Sequence, residues 1–104
     1  MRRRGRVDSV QEAIVAALRA TGCSVQSLAT VGGGCPDLLV GLHGRNFLLE
    51  VKAKVGKLTP MQRDWIAAWA GQTFLVRDVD DALYALGRIA RVVPGVNLPL
   101  GDGS

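Results

Sequence analysis

"GGGCPDLLVGLHGRNFLLEVKAK", residues 32–54, is the stretch that decides the fold. Three consecutive glycines break any helix or strand, so the stretch opens as a loop. "PDLLVGL" and "NFLLEVKAK" then read as β-strands rich in Leu, Val and Phe, with "HGR" between them. A connection that short makes an antiparallel hairpin. Side chains alternate along a strand, so Phe47, Leu49 and Val51 take one face while Glu50 and Lys52 take the other. Asp37 heads the neighbouring strand, where the hairpin brings it close to Glu50. Two carboxylates and a lysine therefore interrupt the most apolar, most strand-like part of the chain.

Before the hairpin, "SVQEAIVAALRATG" reads as a first helix, with Ser9 as N-cap, Gly22 as stop, and Val10, Ile14, Ala17 and Leu18 on one face. Residues 24–31, "SVQSLATV", alternate as a strand. After the hairpin, "LTPMQRDWIAAWAG" opens with Thr59 as N-cap and Pro60 in the first helical position. Its Met61, Trp65, Ala68 and Trp69 are expected to face the core, with Gly71 ending the helix. "QTFLVRD" is a fourth strand. "DVDDALYALGRIARVV" is a third helix, with aspartates at its dipole-positive start and Arg88 and Arg91 near its end. Pro94 stops it and "PGVNLPLGDGS" follows as a loose tail. The expected fold is α/β, an αβββαβ core with a mixed sheet flanked by helices. Residues 1–7 form a basic N-terminal arm, 8–93 the domain and 94–104 the tail.

A chain of 104 residues, 48% hydrophobic, supports one domain with one core. No apolar run approaches the roughly 20 residues needed to span a bilayer, and "MRRRGR" lacks the apolar continuation of a signal peptide. The expectation is a cytoplasmic protein with no membrane partner. A net charge of +4 favours an anionic partner, usually nucleic acid, and Arg2, Arg3 and Arg4 are candidate phosphate contacts. Two cysteines outside any CxxC pair and a single histidine exclude a Cys/His zinc site. Cys23 and Cys35 read as packed, reduced thiols, and His43 as a residue of the hairpin turn.

Two carboxylates side by side repel and raise each other's proton affinity. A hard divalent cation resolves that conflict, and Mg²⁺ suits a few carboxylates plus waters, with Mn²⁺ able to substitute. Lys52 beside it would orient the attacking water and neutralise charge on a phosphorane-like transition state. The carbonyl of Val51, between the two motif residues, is a further candidate ligand. The structural alternative is an ion pair between Lys52 and one of the carboxylates.

Pro36-Asp37, twelve intervening residues, and Glu50-x-Lys52 together resemble the active-site signature of the PD-(D/E)XK nucleases. "GGGCPDLLVG", "GRNFLLEVKAKVGKLTPMQRDWIAAW" and "LVRDVDDAL" look more narrowly like the small virus-type replication-repair nuclease (VRR-NUC) domains. The resemblance covers about residues 8–86. It implies a restriction-endonuclease-like fold and metal-dependent cleavage of DNA phosphodiester bonds, often in branched DNA such as four-way junctions. It also implies a homodimer and is compatible with a phage-encoded protein acting in the host cytoplasm. By the same resemblance Asp37 and Glu50 are metal ligands and Lys52 the catalytic lysine. Members carry a glutamate on the first helix, for which Glu12 is the candidate, and a glutamine early in the next, matching Gln62. Both residues also complete capping boxes, Ser9-x-x-Glu12 and Thr59-x-x-Gln62, so each has a purely structural reading as well.

Lys54 and Lys57 continue the basic side of the motif as candidate phosphate contacts. The glycine loop lacks the P-loop pattern and reads as a connection that places Asp37. Trp65 and Trp69, four apart on an amphipathic helix, read first as core or interface and second as base-stacking platforms. A non-cleaving nucleic-acid-binding module and a restriction-type nuclease are the rival functions. The first should have lost part of Asp37, Glu50 and Lys52, and the second has little room here for a base-reading subdomain.

Overall fold

Four strands form a mixed sheet in the order β1-β2-β3-β4. The computed structural model describes residues 2–87, 91–93 and 96–98. The strands β1 (Ser24–Ser27), β2 (Leu38–Leu42) and β3 (Arg45–Val51) pair antiparallel, and β4 (Thr73–Val76) lies parallel to β3. A parallel neighbour requires a crossover, and helix α2 (Pro60–Ala68) lies in that connection. The β2–β3 turn is His43-Gly44, with φ of 51° and 78°. Positive φ at both central residues is what a two-residue type I′ hairpin demands, and it matches the twist of the flanking strands.

Helix α1 spans Arg2–Ala20 and packs on the sheet together with α3 (Val79–Ala85). Ile14 and Leu18, one turn apart, are fully buried against Leu38, Val40, Leu49, Val51 and Val76. Burying each such side chain is worth about 1.5–3 kcal/mol, so this face anchors α1 to the hairpin. The helix ends where expected, at Gly22, whose φ is 95°. The Cys23 amide donates to the Leu18 carbonyl and the Gly22 amide to that of Arg19, both at 3.0 Å, the two bonds of a Schellman cap.

Several sequence expectations change. The first helix begins at Arg2, so Arg2, Arg3 and Arg4 lie in its first turn. Ser9 is therefore inside the helix, where its backbone amide is already part of the helical ladder, and the Ser9–Glu12 capping box does not form. α3 stops at Ala85 because Gly87 turns the chain with φ 75°. Arg91, expected to close that helix, belongs instead to β5 (Arg91–Val93), and part of the expected loose tail forms β6 (Val96–Leu98), paired antiparallel with it. Arg88, Pro94 and residues 99–104 lie outside the described residues.

The largest departure is α2, which has no buried residue. Met61 is 60% and Trp69 49% exposed, and Ala68 is exposed as well. The periodicity correctly marks an amphipathic helix but cannot say what covers its apolar face. Here Trp65 and Trp69 stack on each other, 4.7 Å apart and 16° from parallel.

Candidate active site

β3 is one of the two inner strands, between β2 and β4, and Glu50 stands near its C-terminal end. Leu38 pairs with Leu49, so the next pair outward is Asp37 with Glu50. β2 itself begins only at Leu38. In place of a further ladder bond, Asp37 Oδ2 accepts from the Val51 amide at 2.8 Å. Its main-chain carbonyl accepts from Leu28 at 2.8 Å. Backbone and side chain of Asp37 are thus both tied down, which fixes the carboxylate beside Glu50.

Glu50 is 1% exposed, a carboxylate in the interior. Its Oε2 accepts from Gln62 Nε2 at 3.2 Å and faces Lys52 Nζ at 3.4 Å. Oε1 has no hydrogen-bond partner among the described residues. Burial foremost, then the Asp37 carboxylate, pushes Glu50 up from the ordinary value near 4.5 to about 7, against the opposing pull of Lys52. Protonated, Glu50 can donate to Asp37; ionised, the two carboxylates only repel. Cys35 is drawn into the same field. Burial, with Glu50 and Asp37 nearby, raises its thiol above the usual range and keeps it protonated.

Gln62 completes its capping box and also reaches Glu50. Its Oε1 accepts from the Thr59 main-chain amide at 3.0 Å and its own main-chain amide donates to Thr59 Oγ1 at 3.1 Å, completing the capping box. The remaining Nε2 is the group that reaches Glu50. One side chain therefore closes the start of α2 and orients the buried carboxylate. Glu12 does not join this cluster. It is exposed on α1, lining a groove with Asp8, Gln11, Val15, Ala16 and Arg19. Among the described residues no third Asp, Glu, His or Cys completes a metal-sized group with Asp37 and Glu50. Lys52 follows directly after β3, 17% exposed, its amide donating to the Val76 carbonyl at 3.1 Å. Lys54 and Lys57 are exposed in the loop beyond.

Two contributors have no clear signature in the sequence. Gly34, with φ 91°, lies so close to α2 that a Cβ there would sit 2.5 Å from the Met61 carbonyl oxygen and 3.2 Å from the Gln62 nitrogen. The glycine loop thus seats the helix that carries Gln62, a role the run of glycines hints at without naming its contact. Arg77, just past β4, sends Nη1 to the carbonyls of Ala53, Lys54 and Gly56 at 2.6, 3.2 and 2.7 Å. Nothing in the pattern "LVRD" distinguishes it from an ordinary surface arginine.

The family model described as "VRR-NUC domain" matches residues 4–80, most of the chain. The chain belongs to the VRR-NUC family. A solved structure titled "VRR_NUC domain" is 28% identical, covering 73% of this chain and 88% of its own, with a TM-score of 0.64. No curated protein matches the chain. VRR-NUC domains are nuclease domains of the PD-(D/E)XK fold, and the four-stranded mixed sheet with its helices agrees with that fold. Pro36-Asp37 and Glu50-x-Lys52 fall inside the matched segment.

Proposed function

We propose that this VRR-NUC domain is a divalent-metal-dependent endonuclease that hydrolyses DNA phosphodiester bonds, with a preference for branched DNA such as four-way junctions. The observation that carries the reading is Oε1 of a fully buried Glu50 beside Asp37, an oxygen without a hydrogen-bond partner among the described residues. A buried carboxylate oxygen without a donor is costly, and a small, hard cation satisfies it and the neighbouring carboxylate together. Asp37, Glu50 and the Val51 carbonyl are the proposed ligands, for Mg²⁺ or Mn²⁺. When bound, the ion polarises the scissile phosphate and acidifies an attacking water.

The chain's own residues divide the remaining work. Gln62 and the Val51 amide hold the two carboxylates in their rotamers. Lys52, whose Nζ lies 3.4 Å from Glu50 Oε2, would orient the attacking water and offset charge on the equatorial oxygens. Attack forms the new P–O bond as the bond to the leaving oxygen breaks. A non-cleaving module would not need all of Asp37, Glu50 and Lys52, and all three are gathered here.

A homodimer fits symmetric cutting of a junction, because two-fold symmetry supplies two centres from chains that each carry one motif set. Exposed Met61, Trp69 and Leu75 favour such pairing. Tyr84 and Leu86 do not add to that surface, since Leu86 is buried and Tyr84 half-buried. Among the described residues no helix is long and apolar enough to cross a membrane. A cytoplasmic site of action completes the proposal. The test is incubation with labelled single-stranded, duplex, flap and four-way DNAs in Mg²⁺, Mn²⁺ or EDTA. Cleavage in either metal, fastest on the junction and absent in EDTA, is the expected result; cleavage undiminished by EDTA refutes it.

A further inference from the structure

Between Glu50 and Asp64 the chain has no acidic residue, yet it carries Lys52, Lys54, Lys57 and Arg63. Residues 53–57 follow directly on Lys52 as a short loop. Within it, the Gly56 amide closes a turn on the Ala53 carbonyl at 3.0 Å. Lys54 and Lys57 are exposed, and Val55 between them is 85% exposed. Such a loop, left to itself, has water to satisfy its carbonyls and no reason to keep one shape. Arg77 changes that. Its Nη1 lies 2.6, 3.2 and 2.7 Å from the carbonyls of Ala53, Lys54 and Gly56, converging three backbone groups on one charged donor. Arg77 is itself held, its amide donating to Asp81 Oδ2 at 2.8 Å at the start of α3.

We infer that Arg77 is a positioning residue for a preformed DNA-contact loop, residues 53–57, in which Lys54 and Lys57 are set to meet two backbone phosphates next to the reaction centre. The inference rests on the nuclease reading. The occupant is a polyanion because residues 51–63 carry four cationic side chains and no acidic one, and DNA is the polyanion whose scissile phosphate must lie at Lys52. A clamp of this kind removes loop disorder before binding, so the lysines need not be ordered at the moment of contact. Arg77 acts through the loop. Its Nη1 is committed to the loop's carbonyls.

The test uses the full chain and a fluorescein-labelled duplex oligonucleotide, with anisotropy measured in EDTA across a salt series. Replacing both Lys54 and Lys57 by Ala should lower the salt slope by about 2, one for each phosphate contact. Arg77→Met should weaken binding severalfold and reduce the slope by about 1 to 2, with Arg77→Lys recovering part of it because an ammonium also donates to carbonyls. In the background lacking both lysines, Arg77→Met should change nothing further. Trypsin reads the loop without DNA: the Lys54–Val55 bond should be cut faster in Arg77→Met, with the melting temperature close to wild type. The inference is overturned if Arg77→Met binds with wild-type affinity and slope. It is also overturned if the loss persists in full without the lysines, which would make Arg77 a direct phosphate contact. If Arg77→Met does not fold, Arg77→Lys supplies the same comparisons. Wild-type protein that binds no DNA contradicts the nuclease reading itself and the loop's role with it, whereas accelerated trypsin cutting beside unaltered DNA binding contradicts the loop's role alone.

Discussion

A glutamate inside a sheet is tolerated only when something answers its charge, and at Glu50 the described residues answer it only in part. Lys52 and Gln62 serve one oxygen, Asp37 opposes, and Oε1 is left over. With the folded-state value raised to about 7, the metal-free protein binds more protons than its unfolded chain between the two values. Its stability should therefore be full below about 4.5, fall as pH rises through 7, and level off above, a loss of at most about 3 kcal/mol from this group. Melting in EDTA at about pH 5 and about pH 8 should show that fall, and Glu50→Gln should flatten the difference. Equal pH dependence in both proteins would contradict the buried-charge account. Lys52 gives a second prediction at this scale. Lys52→Ala should slow cleavage by about 10²–10³, and Lys52→Arg should not restore it, because a planar fork does not replace a compact ammonium. Full rescue by arginine, with both variants melting like wild type, would reduce Lys52 to an ion-pair partner.

Among the elements, the hairpin was legible because its signals agree: alternation, apolar runs and a turn of the right length. Thr59-Pro60 marked the start of α2 for the same reason, since caps act locally. What covers α2 was not legible, because an apolar stripe records that a face prefers to leave water and not where it finds shelter. α1 is longer than expected because Ser9, a good cap residue, is absorbed into the helix interior. Gly34 could be seen as a loop glycine, but its contact with the Met61 carbonyl exists only once β1, the loop and α2 are assembled. That contact is testable. Gly34→Ala should destabilise the fold by about 1–3 kcal/mol, through both a positive φ and a Cβ pressed against backbone. It should also lower the cleavage rate by displacing Gln62 from Glu50. Thermal melting together with single-turnover rates checks both halves, and a variant with wild-type rate and stability would show that the loop does not seat the helix.

For the whole molecule, the chain's positive charge and its exposed α2 face bear on the proposed binding of DNA and of a second copy. The homodimer proposal predicts twice the monomer mass by light scattering at micromolar concentration, and Trp69→Asp should shift that mass towards the monomer. A wild-type monomer that cuts duplex as fast as a junction would leave a general nuclease in place of a junction-directed one. The site was readable from sequence to the extent that it lies on one hairpin, where register alone brings Asp37 to Glu50 and Lys52. Gln62 was half-readable, because one spacing served two purposes. Arg77 was not readable, since its partners are carbonyls more than twenty residues away. Whether Asp37 and Glu50 together hold the cation of the proposed nuclease is read by single-turnover cleavage of a labelled junction in Mg²⁺ by wild type, Asp37→Ala and Glu50→Ala. Each variant should lose about a hundredfold or more in rate while still binding the junction. Either folded variant cutting at the wild-type rate would contradict it.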